Sequence, residues 1–294
     1  MKRLSAEVLA VVDKIRKDKW SGASQLTLLS LEALKLASEK LEATNPREFM
    51  EKLRLVGYLL SEAKPSMVSI ANMAGKLLLK LEKAKLQDLW NTRRTAVNLS
   101  LRLAEEYRET LEKAALEASK LMMGAQAVAT CSYSSLILKA FKAAAERGLN
   151  FKVLIAESRV KGISHGVNLA GKVSNIGLNV RVFPDNRLNE MVKEVSLVLL
   201  GADTVLPDGS IINGMPSLKL AMEAQSQGKP VYVVCDSAKI SPSSMKPDEG
   251  FDLVSSKLVK ALIIEKGKVN LKMVRKNSLE SRRFKSALTT GFKP

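Results

Sequence analysis

SLVLLGADTVLPDGSIINGMPSLKLAMEAQSQGKPVYVVCD, residues 196–236, holds two apolar runs, SLVLLGAD (196–203) and PVYVVCD (230–236), separated by a segment that reads as a helix over 216–227. The runs are continuous in Val, Leu and Cys, with no apolar–polar alternation. That pattern fits strands buried on both faces, and the helix between them fits the crossover joining parallel neighbours.

The same rhythm extends outward. AVATC (127–131), KVLIAES (152–158), LNVRVF (178–183) and ALIIEK (261–266) read as further strands. Helices are expected at 134–147, 164–175, 186–194 and 255–260. The fold class is therefore α/β, with a Rossmann-like parallel sheet over 123–267. Ligands of such sheets bind beyond the carboxyl ends of the strands, so the chemistry is sought there.

Residues 1–122 differ in composition. Only three of the 16 glycines and two of the nine prolines precede Met123. This part reads as a helical domain. SLEALKLASEKLEA (30–43) has Leu31, Leu34 and Leu41 at helical spacing, and Asn45-Pro46 suits a helix start. A long helix is expected from Thr95 to Met123. Residues 268–294 read as a basic C-terminal tail with little apolar periodicity, expected to be mobile or ordered only against a partner.

Hydrophobic residues make up 46% of the 294, enough for a large core, and no run of about 18 uncharged apolar residues suggests a membrane span. The N-terminus lacks a signal-peptide pattern, so a cytoplasmic protein is expected. One histidine, His165, and two cysteines exclude a zinc site built from several Cys and His, and make a disulfide framework improbable. No GxSxG, GxGxxG or GxxxxGK[ST] occurs, so neither a serine hydrolase nor a nicotinamide or P-loop enzyme is indicated, and no cofactor or metal is expected. The net charge of +17 favours weak non-specific nucleic-acid attraction or an acidic partner. With 13 aromatics and no RNP-like motif, sequence-specific binding is not expected.

The strand-end segments are ATCSYSS (129–135), ESRVKG (157–162), LLGADTVLPDGSIINGMPS (199–217) and VVCDSAKISP (233–242). WSGAS (20–24) and AKPSMVSIAN (63–72) join them from the helical part. Together, over about residues 5–267, they resemble the α/β/δ family of translation initiation factor 2B. That family includes archaeal relatives and two aldose–ketose isomerases, for methylthioribose 1-phosphate and ribose 1,5-bisphosphate.

The resemblance implies a proton-transfer pair at Cys131 and Asp203, since isomerisation needs an acid and a base across the sugar. It implies substrate contacts from Gly22, Ala23, Lys64, Ser132, Arg159, Asn213, Gly214 and Lys239. Arg159 and the helix starting near Tyr133 are candidates for lowering the thiol's pKa. The departures concern phosphate. The family's Arg-Gly-Ala is Ser21-Gly22-Ala23, its Arg-Pro-Thr is Lys64-Pro65-Ser66, and its Asn-Lys-Ile-Gly-Thr is Asn213-Gly214-Met215-Pro216-Ser217. Losing bidentate guanidinium and ammonium contacts weakens a phosphate grip.

The expectation is thus a regulatory, initiation factor 2B-like protein with a degenerate pocket for a phosphorylated small molecule. The alternative is an isomerase of a sugar 1-phosphate. The resemblance also implies a homodimer or dimer of dimers, formed through the 216–227 helix and the 231–235 strand, and a translation initiation factor as a further partner.

Overall fold

Helix starts are set by side chains that take the first free N–H groups. A computed structural model describes residues 4–84 and 87–291. Its first part is helices α1 (Ala6–Lys17), α2 (Ala23–Lys40), α3 (Pro46–Ala63), α4 (Val68–Lys83) and α5 (Leu89–Ser119). The Asn45 side chain accepts from the Glu48 N–H ahead of α3, with Pro46 in the first turn. Asp88 accepts from the Asn91 N–H at 2.8 Å, which starts α5 earlier than Thr95. Val8, Val12 and Ile15 of α1 and Phe49, Leu53, Val56 and Leu60 of α3 repeat every three to four residues and are buried.

The chain then alternates. In order come β1 (Ala127–Thr130), α6 (Ser135–Glu146), β2 (Lys152–Ala156), the hairpin β3 (Arg159–Val160) and β4 (Ile163–Ser164), α7 (His165–Asn175), β5 (Asn179–Phe183) and α8 (Leu188–Lys193). There follow β6 (Leu197–Leu200), β7 (Thr204–Val205), β8 (Ile211–Gly214), α9 (Ser217–Ser226), β9 (Val231–Val234), β10 (Phe251–Val254), β11 (Ala261–Ile264), β12 (Gly267–Val269) and α10 (Leu271–Thr289).

The main sheet has seven strands in the order β12-β11-β9-β6-β1-β2-β5. All its neighbours run parallel except β12 on β11. From β1 the chain steps outward to β2 and β5, then returns beside β1 as β6 and steps the other way. The crevice between β1 and β6 is the reversal point where ligands bind in such sheets. A three-stranded antiparallel sheet, β10-β8-β7, follows the end of β6.

Side chains alternate between two cores. Val128, Val153, Ile155, Leu199 and Ile263 join the helices of the first part, while Ala129, Leu154, Val198, Leu200 and Ile264 join α8 and α9. Both faces are covered, which is why the runs carry no polar alternation. Each fully buried Val, Leu or Ile contributes roughly 1.5–3 kcal/mol.

Three expectations are corrected. The 255–260 helix is a single 3-10 turn, Ser256–Leu258, because β11 begins at Ala261 and leaves no room for more. The 231–235 strand is interior, hydrogen-bonded between β6 and β11, and cannot form a subunit contact. The basic segment after 267 is neither a tail nor mobile: β12 closes the sheet edge, and α10 lies along α4 and α3. α10 buries Val274, Ser278, Ser281, Ala287 and Leu288. The Ser281 hydroxyl donates to the Ile240 carbonyl at 2.7 Å, and Arg282 Nε donates to the Pro242 carbonyl at 3.0 Å. Gly75 of α4 makes the close approach possible, since a Cβ there would overlap the Phe284 backbone. Residues 292–294 of that segment lie outside the described residues. Among the described residues no helix is long and apolar enough to cross a membrane.

Candidate functional site

A cleft of about 370 Å³ opens at the carboxyl edge of the sheet, between the α1–α2 loop, the start of α4, the loop after β1, the β3–β4 hairpin and the 249–251 segment. That volume suits a small ligand. The sequence of the α1–α2 loop builds one wall. Asp18 accepts from the N–H of Trp20 at 2.8 Å, the N–H of Ser21 at 2.7 Å and the Ser21 hydroxyl at 2.9 Å. The Lys64 ammonium donates to the Asp18 carbonyl at 2.7 Å. Burial raises the Asp18 carboxyl, but the bonds from Ser21 and Trp20 and the charge of Lys64 together hold it below its ordinary value. Lys64 is lowered, first by burial and also by the like charge of Lys19, against the pull of Asp18 and Asp248. Lys19 and Lys64 both line the cleft, with the carboxylate of Asp18 beside them.

Five of the ten residues expected at the site line this cleft: Gly22, Lys64, Ser132, Asp203 and Gly214. Ser132 has a positive φ of 60° and donates its N–H to the Ser158 hydroxyl at 2.7 Å. Its side chain lies so close to Gly214 that a Cβ on Gly214 would overlap its oxygen. Asp203 reaches the cleft floor. Burial raises its carboxyl, partly offset by Lys239 and by a hydrogen bond from the Ala23 N–H at the start of α2.

The other five stand behind or outside the wall. Ala23 is buried and meets Asp203 only through its backbone. Cys131 is 1% exposed, with Sγ 3.2 Å from the Ser217 hydroxyl. Burial pushes its thiol up to about 12, with Asp252 and Asp185 adding to the rise and Ser217 opposing it. Asn213 is buried and donates to the same hydroxyl at 2.8 Å. Lys239 is buried, 3.9 Å from Asp236, whose carboxylate also accepts from the Tyr107 hydroxyl at 3.2 Å.

Arg159 corrects two expectations at once. Its guanidinium donates to Glu157 at 2.7 and 2.9 Å and its side chain is 64% exposed, so it neither lines the cleft nor lowers the thiol. The Cys131 thiol moves up, not down, because burial outweighs every stabilising contact.

Residues not anticipated at the site are Asp18, Lys19, Trp20, Tyr133, Lys161, His165 and Glu249. Trp20 is 57% exposed, with its ring 6.5 Å from that of His165. Burial lowers the His165 imidazole. Lys161 pairs with Glu249 at 2.8 Å across the rim. Lys19 and Trp20 directly precede Ser21-Gly22-Ala23, so a reading of the whole loop finds them. His165 carried no motif. Among the described residues no group of three His, Cys, Asp or Glu stands together as a metal site.

Comparison with known proteins agrees with this frame. The model of the initiation factor 2 subunit family matches residues 19–251. A putative translation initiation factor eIF-2B subunit 2-like protein of Pyrococcus abyssi is 25% identical over 240 residues, covering 82% of each chain. A ribose 1,5-bisphosphate isomerase of Thermococcus kodakarensis is 25% identical over 241 residues, covering 81% of this chain and 74% of its own. The tetrameric eIF2B-beta2-delta2 complex from C. thermophilum contains a chain that superposes with a TM-score of 0.81 at 16% identity, covering 95% of both, a likeness of fold. With its helical first part, mostly parallel sheet and match over 19–251, the chain belongs to the initiation factor 2 subunit family.

Proposed function

We propose that this protein is a non-catalytic, initiation factor 2B-like subunit whose cleft binds a phosphorylated small molecule in the cytoplasm. The carrying observation is the Cys131 thiol. It is buried against Ser217 and pushed up to about 12, so at neutral pH it is a neutral group with no opening to the cleft. A thiol acts as nucleophile or base through its thiolate. The cations lining the cleft are Lys19, Lys64 and Lys161, with no arginine among them. Backbone groups do not compensate: the Gly22 N–H donates to the Gln25 side chain and the Met215 N–H to the Gly250 carbonyl. A phosphate would rest on Lys19 and Lys64, with Ser132 beside it. Arg159, Ala23, Asn213 and Lys239 would act only from behind.

One observation favours the isomerase reading instead. Asp203 lines the cleft with a raised carboxyl, a property suited to an acid–base group. The assay is turnover of ribose 1,5-bisphosphate and methylthioribose 1-phosphate by the parent and by Cys131→Ser, beside a thermal-shift panel of sugar phosphates and nucleoside monophosphates. Stabilisation without turnover, equal in both proteins, supports the binding reading. Turnover that Cys131→Ser abolishes establishes the isomerase.

Assembly is part of the proposal. Met222 on α9 and Leu253 on the edge strand β10 are 56% and 43% exposed on neighbouring elements. A second copy of this chain, or a related initiation factor 2B subunit, would cover them. Light scattering at micromolar concentration, repeated on Met222→Lys, reads this directly, with a dimer expected for the parent and a monomer for the variant.

A further inference from the structure

Ion pairs cover much of this surface. On α5 and the turn after it, Arg108 pairs with Glu105, Lys113 with Glu109 and Lys120 with Glu117. α10 departs from that pattern. It exposes Lys272, Arg275, Lys276, Arg282, Arg283 and Lys285 against a single acid, Glu280, and among the described residues none of the six is in an ion pair.

Their positions are not scattered. At 3.6 residues per turn, Lys272, Arg275, Lys276, Arg282 and Arg283 fall within a sector of about 120°, and they span about 16 Å along the axis. That sector lies opposite the buried Val274, Ser281 and Leu288. Beside it an open groove runs between α10 and the Pro207–Asp208 turn, lined by Arg275, Ser278, Leu279 and Arg282. Asp208 stands on the opposite wall and accepts from the Ser210 N–H and hydroxyl, and among the described residues it forms no ion pair with Arg275 or Arg282. The helix packs closely on α4 at Gly75, so the backbone positions that carry the cations are set without a partner present.

We infer that the exposed face of α10 binds the phosphate backbone of RNA without reading sequence. A row of cations outside any ion pair, of which, among the described residues, Arg282 alone is tied by a carbonyl, complements a chain of phosphates. The sector holds no Asn, Gln or aromatic side chain, which leaves its arginines and lysines, groups that any phosphate satisfies, to make the contact. In an initiation-factor family, RNA is the polyanion at hand.

The test is fluorescence anisotropy with a labelled 20-nucleotide single-stranded RNA at 50 and 200 mM salt. The triple Arg275→Ala/Lys276→Ala/Arg283→Ala is expected to weaken binding at least tenfold at low salt. Its log–log salt slope should fall by about 2, for three phosphates at about 0.7 each. The control triple Lys17→Ala/Lys113→Ala/Lys142→Ala, which removes paired cations, should change binding less than twofold. If the first triple melts early, Lys272→Ala and Lys276→Ala as single variants are each expected to lose about threefold. Four outcomes overturn the inference: no binding by the parent, equal loss in both triples, tighter binding of DNA of the same sequence, or equal competition by polyglutamate.

Discussion

The Cys131 sulfur and the Ser217 hydroxyl lie 3.2 Å apart, both buried, and Ser217 in turn bonds to the Asn213 amide and the Gly214 carbonyl. This cluster ties the end of β1 to the start of α9 beneath the cleft. It uses the thiol as a small packed group. Iodoacetamide at pH 8 is therefore expected to leave native Cys131 and Cys235 unmodified, with both alkylated in urea, as read by intact mass. Rapid labelling of Cys131 alone in the native protein would place a thiolate at the cleft and sink the binding-only reading.

Lys64 carries the next prediction. It is half-buried, its ammonium donates to the Asp18 carbonyl, and it lines the cleft with Lys19. A charge-assisted hydrogen bond contributes roughly 1.5–3 kcal/mol, so Lys64→Ala should weaken any phosphorylated ligand about 10- to 100-fold. The readout is the ligand concentration giving half-maximal thermal stabilisation. Arg159→Ala should leave that concentration unchanged, because its guanidinium is engaged by Glu157 outside the cleft.

Gly75 and Phe284 set the docking of α10. Gly75→Ala must push the two helices apart, at a cost of about 1–3 kcal/mol for an overpacked contact. Removing residues 271–294 should cost more, since it uncovers α4 and α3, takes the Arg282 donor from the Pro242 carbonyl and leaves the Ile240 carbonyl with Asn72 alone. Urea midpoints check both. An unchanged midpoint after truncation would mean that α10 is not part of the fold.

Glu48 is one contributor to the pH profile of stability. Glu48 accepts from Lys52 and from the N–H and hydroxyl of Thr44, which together lower its carboxyl to about 2. A depressed carboxyl adds stability that is fully present above its unfolded value near 4.5 and is lost as pH falls through about 2. Glu48→Gln should thus lower the melting temperature at pH 7, and the gap to the parent should close between pH 5 and 2.

The sheet was legible because its strands are uninterrupted apolar runs, such as Leu197–Leu200 and Val231–Val234, and burial on two faces demands just that composition. α10 was not legible for the converse reason. Its buried positions hold Ser278, Ser281 and Ala287, so close backbone packing replaces the leucine stripe that marks a helix in sequence. At the site, strand ends located Asp203 and Ser132. They did not say which way Arg159 turns, since that choice rests on Glu157 two residues away. Nor did they show that Cys131 faces inward, a matter of register between β1 and α9.

Helix α10, made after the whole sheet, is laid on α4. While the chain is being synthesised, α4 leaves the ribosome with one flank lacking its cover, and that cover is encoded downstream of every strand of the sheet. The helical layer therefore cannot close until Leu271–Thr289 have been made, and a chain that stops before them leaves the flank of α4 bare.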